Sequence, residues 1–276
     1  IKNAADVERA VGTPVLGRIP LEGRLASSSN GRRQRVVILS QLSPDDPAVE
    51  AFRALRTNVT FVGAERPLQL IAVTSPGPGE GKSTTAVNLA VILAQGGSKT
   101  LLVDGDLRRS QVHRAFGLVQ EPGLTDVLIH EAALREAVRP DIAQNLDVLP
   151  AGQSPPNPAE LLGSEAMNRV VAELRRDYEY IVIDTPPSLP VTDASVVAAV
   201  ADATIIVMRS GETEETAAQR AVEQLRRVRA RIAGAVLNGV SVRRDRYYSY
   251  YRSDKYRRRG GRRPRRSLRA RIISSL

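Results

Sequence analysis

The chain has 276 residues, 42% of them hydrophobic, enough for one large domain or a domain with appendages. It contains no cysteine, which excludes a disulfide framework and a thiolate metal site, and no apolar run approaches the roughly 18 residues of a spanning helix. The net charge of +10 is gathered at one end: residues 243–276 carry fourteen Lys and Arg against Asp245 and Asp254, a net of +12, which leaves −2 for residues 1–242. So neutral a body argues against a dedicated nucleic-acid-binding fold. A first residue of isoleucine, with no signal-peptide pattern after it, predicts a portion of a longer protein.

In chain order, "DVERAVGTPVLGRIP" predicts a short helix and then a small apolar piece ending at Pro20. "ASSSNGRRQR", residues 26–35, is polar and reads as a linker. "SPDDPAVEAFRALRTNVTFV" supplies a helix start, with Pro47 in the first turn and Val49, Phe52, Leu55 and Val59 at helical spacing. From Leu68 the signals alternate. Strands are predicted in "LQLIAVTS", "TLLVD", "LDVLP", "YIVID", "ATIIVM" and "IAGAVLN", with helices at 82–95, 164–176, 193–200 and 213–230. Apolar strands alternating with helices imply a mostly parallel sheet covered on both faces. After Val242 an Arg/Tyr/Gly/Ser-rich tail begins. The predicted organisation is a lead-in over 1–35, a helix over 36–66, an α/β domain over 67–242 and a tail over 243–276.

The stretch "TSPGPGEGKSTTAVNLA", residues 74–90, runs from strand to helix through a glycine-rich loop. Gly81, Lys82 and Ser83 match the end of the P-loop pattern, but Pro76 stands at its leading glycine. Gly77, Gly79 and Gly81 allow successive amides to turn inward as an anion nest, with Pro78, Glu80 and Thr84 completing the loop. Lys82 is placed for the outer phosphates and Ser83 for Mg²⁺. A lone GKS triplet also fits an ordinary strand-to-helix turn. Asp104 and Asp106 follow one apolar strand and Asp184 ends another. Singly, each reads as a strand-end residue that caps a helix or meets solvent. Together they fall on the one sheet edge where ligands bind.

"SPGPGEGKS", "LLVDGDLR" and "IVIDTPP" resemble the Walker A, A′ and B motifs of bacterial tyrosine kinases, the polysaccharide-linked autokinases. The resemblance runs over roughly residues 5–240 and includes "PVLGRIP", "GLTDVL", "LPAGQSPPNPAELL" and "PPSLPVTDAS". Related partitioning and division-site ATPases have a lysine where this chain has Gly77. The resemblance implies a three-layer α/β P-loop NTPase fold with a flexible C-terminal tail, and a protein-tyrosine autokinase using ATP and Mg²⁺. It implies that Lys82, Asp104, Asp106 and Asp184 are catalytic, that Ser83, Asp106 and Asp184 organise Mg²⁺, and that Asp104 orients or deprotonates the acceptor tyrosine. Asn238 would touch the adenine, although a turn residue is an equal reading.

Glu50, Arg53 and Arg56 follow one another at i, i+3 and i+6 in "VEAFRALR" and read as one charged side of a helix. By pattern that is a solvated face. By resemblance it is the family's E-x-x-R-x-x-R motif, which mediates ring assembly. Tyr247, Tyr248, Tyr250, Tyr251 and Tyr256 crowd into ten residues of a chain with seven tyrosines. Among arginines they suit a nucleic-acid-binding tail by stacking and charge. The resemblance makes them autophosphorylation sites instead, with no nucleic acid expected. It further implies self-association, a transmembrane polysaccharide co-polymerase region, a cognate tyrosine phosphatase and a place on the cytoplasmic side of the bacterial inner membrane. The +12 tail adds an attraction for anionic lipid that five phosphates would nearly cancel.

Overall fold

A computed structural model describes residues 1–20, 36, 38–39 and 42–241. Its centre is an eight-stranded sheet in the order β1-β8-β7-β2-β6-β3-β5-β4. The middle strands are β2 (Leu70–Thr74), β6 (Tyr180–Asp184) and β3 (Thr100–Asp104), with β7 (Ala203–Arg209) and β8 (Ile232–Val240) on one side. All pairings are parallel except that of β5 (Leu146–Leu149) with the edge strand β4 (Arg139–Ala143). The middle strands are buried along nearly their whole length, which is why they read as continuous apolar runs.

Alternate side chains of β2 divide between the two faces of the sheet. Leu70 and Ala72 join Leu101, Val103 and Ile183 in a core with Met167, Val170, Val171 and Leu174 of α8 (Glu165–Asp177). A second core joins Ile206, Met208, Ala235 and Leu237 to Val7 and Val11 of α1 (Ala4–Val11) and to Ala218, Val222 and Leu225 of α10 (Glu215–Arg227). The helix α3 (Lys82–Gln95) lies against β6, β2 and β3 with α2 (Pro47–Glu65) packed on it. It is therefore buried without interruption from Thr85 to Ala94. Asp46 begins α2 by accepting the Ala48 amide at 2.9 Å, with Pro47 in the first turn, as the sequence predicts.

Two elements differ from the sequence reading. The apolar piece after α1 is a full strand, β1 (Val15–Pro20), paired in parallel with β8 from Val15↔Ala235 to Pro20↔Val240. Residues that the sequence reads as a lead-in thus belong to the compact unit Ile1–Val240. At the other edge β4 has the polar sequence RPDIA and lies half in solvent, so no apolar pattern announces it.

The α2 motif splits. Glu50 and Arg53 form an exposed pair at 3.2 Å, each side chain 46% accessible. Arg56 lies about 60° beyond Arg53 and about 120° around the helix from Glu50, which carries it toward α3. Its guanidinium reaches inward, donates to the Ile92 carbonyl at 3.2 Å and lies where a Cβ on Gly96 would stand 2.9 Å away. A cation there offsets the unsatisfied carbonyls at the C-terminus of α3. Arg56→Ala is expected to cost about 1 kcal/mol and lower the melting temperature by about 2–4 °C. Arg53→Ala should shift it by less than about 1 °C, as an exposed pair contributes little. Equal shifts in the two variants would contradict the inward assignment.

Candidate active site

The loop from Ser75 to Gly81 joins the C-terminal end of β2 to the N-terminus of α3. Gly79 and Gly81 have φ of 80° and 97°, in the left-handed region that a side chain disfavours. At Gly81 there is also no room: an added Cβ would lie 1.9 Å from Asn238 Nδ2. The first amides of α3 have no intrahelical acceptor and open toward an anion. Gly77 departs from the predicted nest. Its N–H donates to Glu80 Oε2 at 2.9 Å, so the nest consists of the amides further along the loop. The Glu80 side chain is buried.

The acids meet this loop from the neighbouring strand ends. Asp104 and Asp184 are register partners at the ends of β3 and β6. Gly105 follows with its N–H on the Asp184 carbonyl at 2.8 Å; a Cβ there would stand 2.7 Å from Ile183 Cγ2. This close passage sets Asp106 beside the loop, where the Lys82 ammonium reaches its Oδ2 at 2.8 Å. The same ammonium lies 3.8 Å from Asp184 Oδ1 and 3.2 Å from Ser83 Oγ. Asp104 Oδ2 accepts the Gln111 and Val112 amides at 3.1 and 3.0 Å, at the start of α4 (Val112–Phe116). Its Oδ1 and both carboxylate oxygens of Asp184 are buried without a hydrogen-bond partner.

Burial, and then the Asp184 charge, push Asp104 up to about 8. Burial pushes Asp184 up to about 6 against the pull of Lys82. For Lys82 burial works against the charge, but Asp184 and Asp106 outweigh it and hold the group above the usual lysine value. Such a crowd of buried carboxyls around one ammonium calls for further positive charge. Among the described residues no three His, Cys, Asp or Glu side chains can hold a metal ion unaided. Mg²⁺ keeps several waters and shares one or two carboxylates with substrate phosphates. The orphaned Asp184 oxygens, Asp106 and the Ser83 hydroxyl fit such an ion.

A cleft of about 1030 Å³ opens above these groups, lined by Pro78, Gly79, Gly81, Lys82, Ser83, Thr84 and Asp106. Asp104 and Asp184 are buried beneath it. Asn238 stands beside it: its Nδ2 donates to the Glu80 carbonyl at 2.9 Å and its Oδ1 accepts the Gly239 amide, so its amide braces the loop. Arg108, Arg109, Arg114, Gln120 and the prolines of 186–190, none of them assigned a role from the sequence, also line the cleft. Arg108 is fixed by two bonds to the buried Asp193, at 2.8 and 3.1 Å. The doublet following Asp106 in "DGDLRR" was a visible signal; the pairing across 85 residues was not. The five tail tyrosines lie outside the described residues.

A strand, an anion-binding loop and a helix, with a lysine shared between Asp106 and the strand-end Asp184, define a P-loop nucleotide-binding protein. A family model described as "AAA domain" matches residues 68–236. Tyrosine-protein kinase YwqD of Bacillus subtilis is 41% identical over 223 residues, 81% of this chain and 94% of that one. Tyrosine-protein kinase Etk of Escherichia coli is 33% identical over 233 residues, and the match spans 84% of this chain but only 32% of Etk. The solved Etk kinase domain superposes with a TM-score of 0.80 at 32% identity, covering 89% of this chain and 97% of that domain. The septum site-determining protein MinD from Pyrococcus horikoshii, complexed with Mg-ADP, aligns over 62% of this chain and 70% of its own, with a TM-score of 0.54 and 27% identity. The chain belongs to the bacterial tyrosine-protein kinases. No described helix is long and apolar enough to cross a membrane.

Proposed function

We propose that this protein transfers the γ-phosphoryl group of Mg·ATP to tyrosines of its own C-terminal segment, Tyr247, Tyr248, Tyr250, Tyr251 and Tyr256, and thereby regulates polysaccharide synthesis or export. The grouping of Lys82, Asp106 and Asp184 under the loop is the observation that supports this most directly. Loop amides and the start of α3 hold the phosphates. Lys82 leaves its carboxylates in part to neutralise the transferring group, and Ser83, Asp106 and Asp184 would hold Mg²⁺, which would supply further positive charge against that developing on the phosphates. Asp104, whose Oδ1 has no hydrogen-bond partner, orients the acceptor tyrosine or, in its ionised form, takes the phenol proton as the tyrosine oxygen bonds to phosphorus and the bond to the ADP oxygen breaks.

The exposed Glu50–Arg53 side of α2 supports self-association into a salt-sensitive ring. The remaining partners follow from the family: a transmembrane co-polymerase region, a cognate phosphatase and the cytoplasmic surface of the bacterial inner membrane. Mass spectrometry of the whole chain after incubation with Mg·ATP tests the reaction. Phosphate on Tyr247–Tyr256 is expected. Steady ADP release with an unmodified tail would instead make the protein an ATPase switch.

A further inference from the structure

A carboxyl in a loop that binds a polyanion is an electrostatic liability, yet Glu80 sits there, 8% exposed. Both its oxygens are engaged: Oε2 by the Gly77 amide at 2.9 Å and Oε1 by the Thr213 hydroxyl at 2.5 Å. Thr213 lies between β7 and α10 and is equally buried, 5% exposed. Its Oγ accepts the Arg209 amide at 2.7 Å. A backbone N–H can only donate, so the single hydroxyl proton is left for Glu80, and the direction of every bond in the chain is fixed.

The same flank grips the loop's carbonyls. Arg209 Nη1 donates to the Gly79 carbonyl at 3.3 Å, and Asn238 Nδ2 to the Glu80 carbonyl at 2.9 Å. In a planar trans peptide the carbonyl and the following N–H point in opposite directions. Drawing these two carbonyls outward therefore turns the Glu80 and Gly81 amides away from Arg209 and Asn238, on a loop whose Gly79 and Gly81 line the cleft. The side-chain clasp holds the loop at Gly77 and Glu80 while the carbonyl grip sets its amides.

We infer that Thr213, acting through Glu80, is a positioning residue for nucleotide binding: its hydroxyl locks the phosphate loop from the β7–α10 turn and aims amides that it never touches. Glu80 is thereby a brace of the loop and not a ligand of the nucleotide. Burial pushes the Glu80 carboxyl above its usual value, and the Thr213 and Gly77 bonds pull it back, as expected of a group retained for its geometry.

The test is Mg·ADP affinity of the full chain by calorimetry, which reads the loop independently of whether the tail is the acceptor. Thr213→Val keeps the volume and removes the hydroxyl; it is expected to weaken Mg·ADP about tenfold. KM for ATP should rise by the same factor, with kcat within about twofold. Thr213→Ser is expected to restore the affinity to within about twofold of the parent. A Thr213→Val protein that binds Mg·ADP like the parent, whatever its melting temperature, overturns the inference. So does a Thr213→Ser protein as weak as Thr213→Val. If Thr213→Val does not fold, Glu80→Met replaces it, because a thioether keeps the length but offers neither Gly77 nor Thr213 a carboxylate oxygen; affinity unchanged in that variant refutes the clasp.

Discussion

Lys82→Met is expected to reduce tail phosphorylation by at least about 10³-fold, measured by mass spectrometry beside the parent. Two losses combine. The variant lacks the cation that would neutralise the transferring phosphoryl group. It also removes the ammonium that lies 2.8 Å from Asp106 and 3.8 Å from Asp184, so carboxyls with almost no access to water are left to repel one another. Breaking one side of such a buried set is costly. The second loss has a pH signature. Without Lys82 the folded pKa of Asp184, already raised to about 6, climbs further above the ordinary 3.8, so the penalty is small near pH 4 and grows as the pH rises. Melting curves at pH 5 and pH 8 should show the larger destabilisation at pH 8. Full phosphorylation in this variant would remove Lys82 from the reaction.

Asp104→Asn is expected to affect catalysis and stability in opposite directions. Phosphoryl transfer should fall about 10²–10⁴-fold, the usual contribution of a positioned proton acceptor. The metal-free protein should become more stable at neutral and alkaline pH. The sign follows from burial and from Asp184, which hold Asp104 at about 8 in the folded state against 3.8 ordinarily. The folded chain keeps a proton that the unfolded chain has released, so stability present below pH 3.8 is lost progressively as the pH rises to about 8. An asparagine keeps an oxygen for the Gln111 and Val112 amides and has no proton to lose. Its advantage should therefore grow from pH 4 to pH 8, reach a few kcal/mol, and level off above. Urea titrations in EDTA at pH 5, 7 and 9 measure it. A difference that does not change with pH would mean that Asp104 titrates normally.

The strand–loop–helix unit and the three acids were legible because buried parallel strands read as apolar runs, with Asp104 and Asp184 each closing one of them and Asp106 two residues beyond Asp104. What stayed hidden depends on contacts across the chain. Nothing local distinguishes Glu80 from a variable loop position; its role requires Thr213, 133 residues away. Arg108 and Asp193 were both in quoted segments, yet their pairing is a product of the fold. Asn238 was expected at the adenine, and the distant loop it braces could not be inferred from its own strand. The Glu50, Arg53 and Arg56 spacing looked like one surface because recurrence at three suggests a stripe. Carried to six residues, the same spacing turns Arg56 inward to α3. The polar β4 carries no apolar pattern because an edge strand need bury little.

The pairing of β1 with β8 bears on how the protein avoids sticking to itself. β8 has nine residues, mostly apolar, and without β1 its outer side would present a row of free amides and carbonyls. Such an open edge is a template for intermolecular strand addition and aggregation. Val15–Pro20 closes it from within the same chain, and β1 has Pro20, which lacks a donor, at its end. Val15–Pro20 therefore acts as a guard strand, and a protein trimmed to the residues after Pro20 is expected to add strands from other molecules along the bared edge of β8.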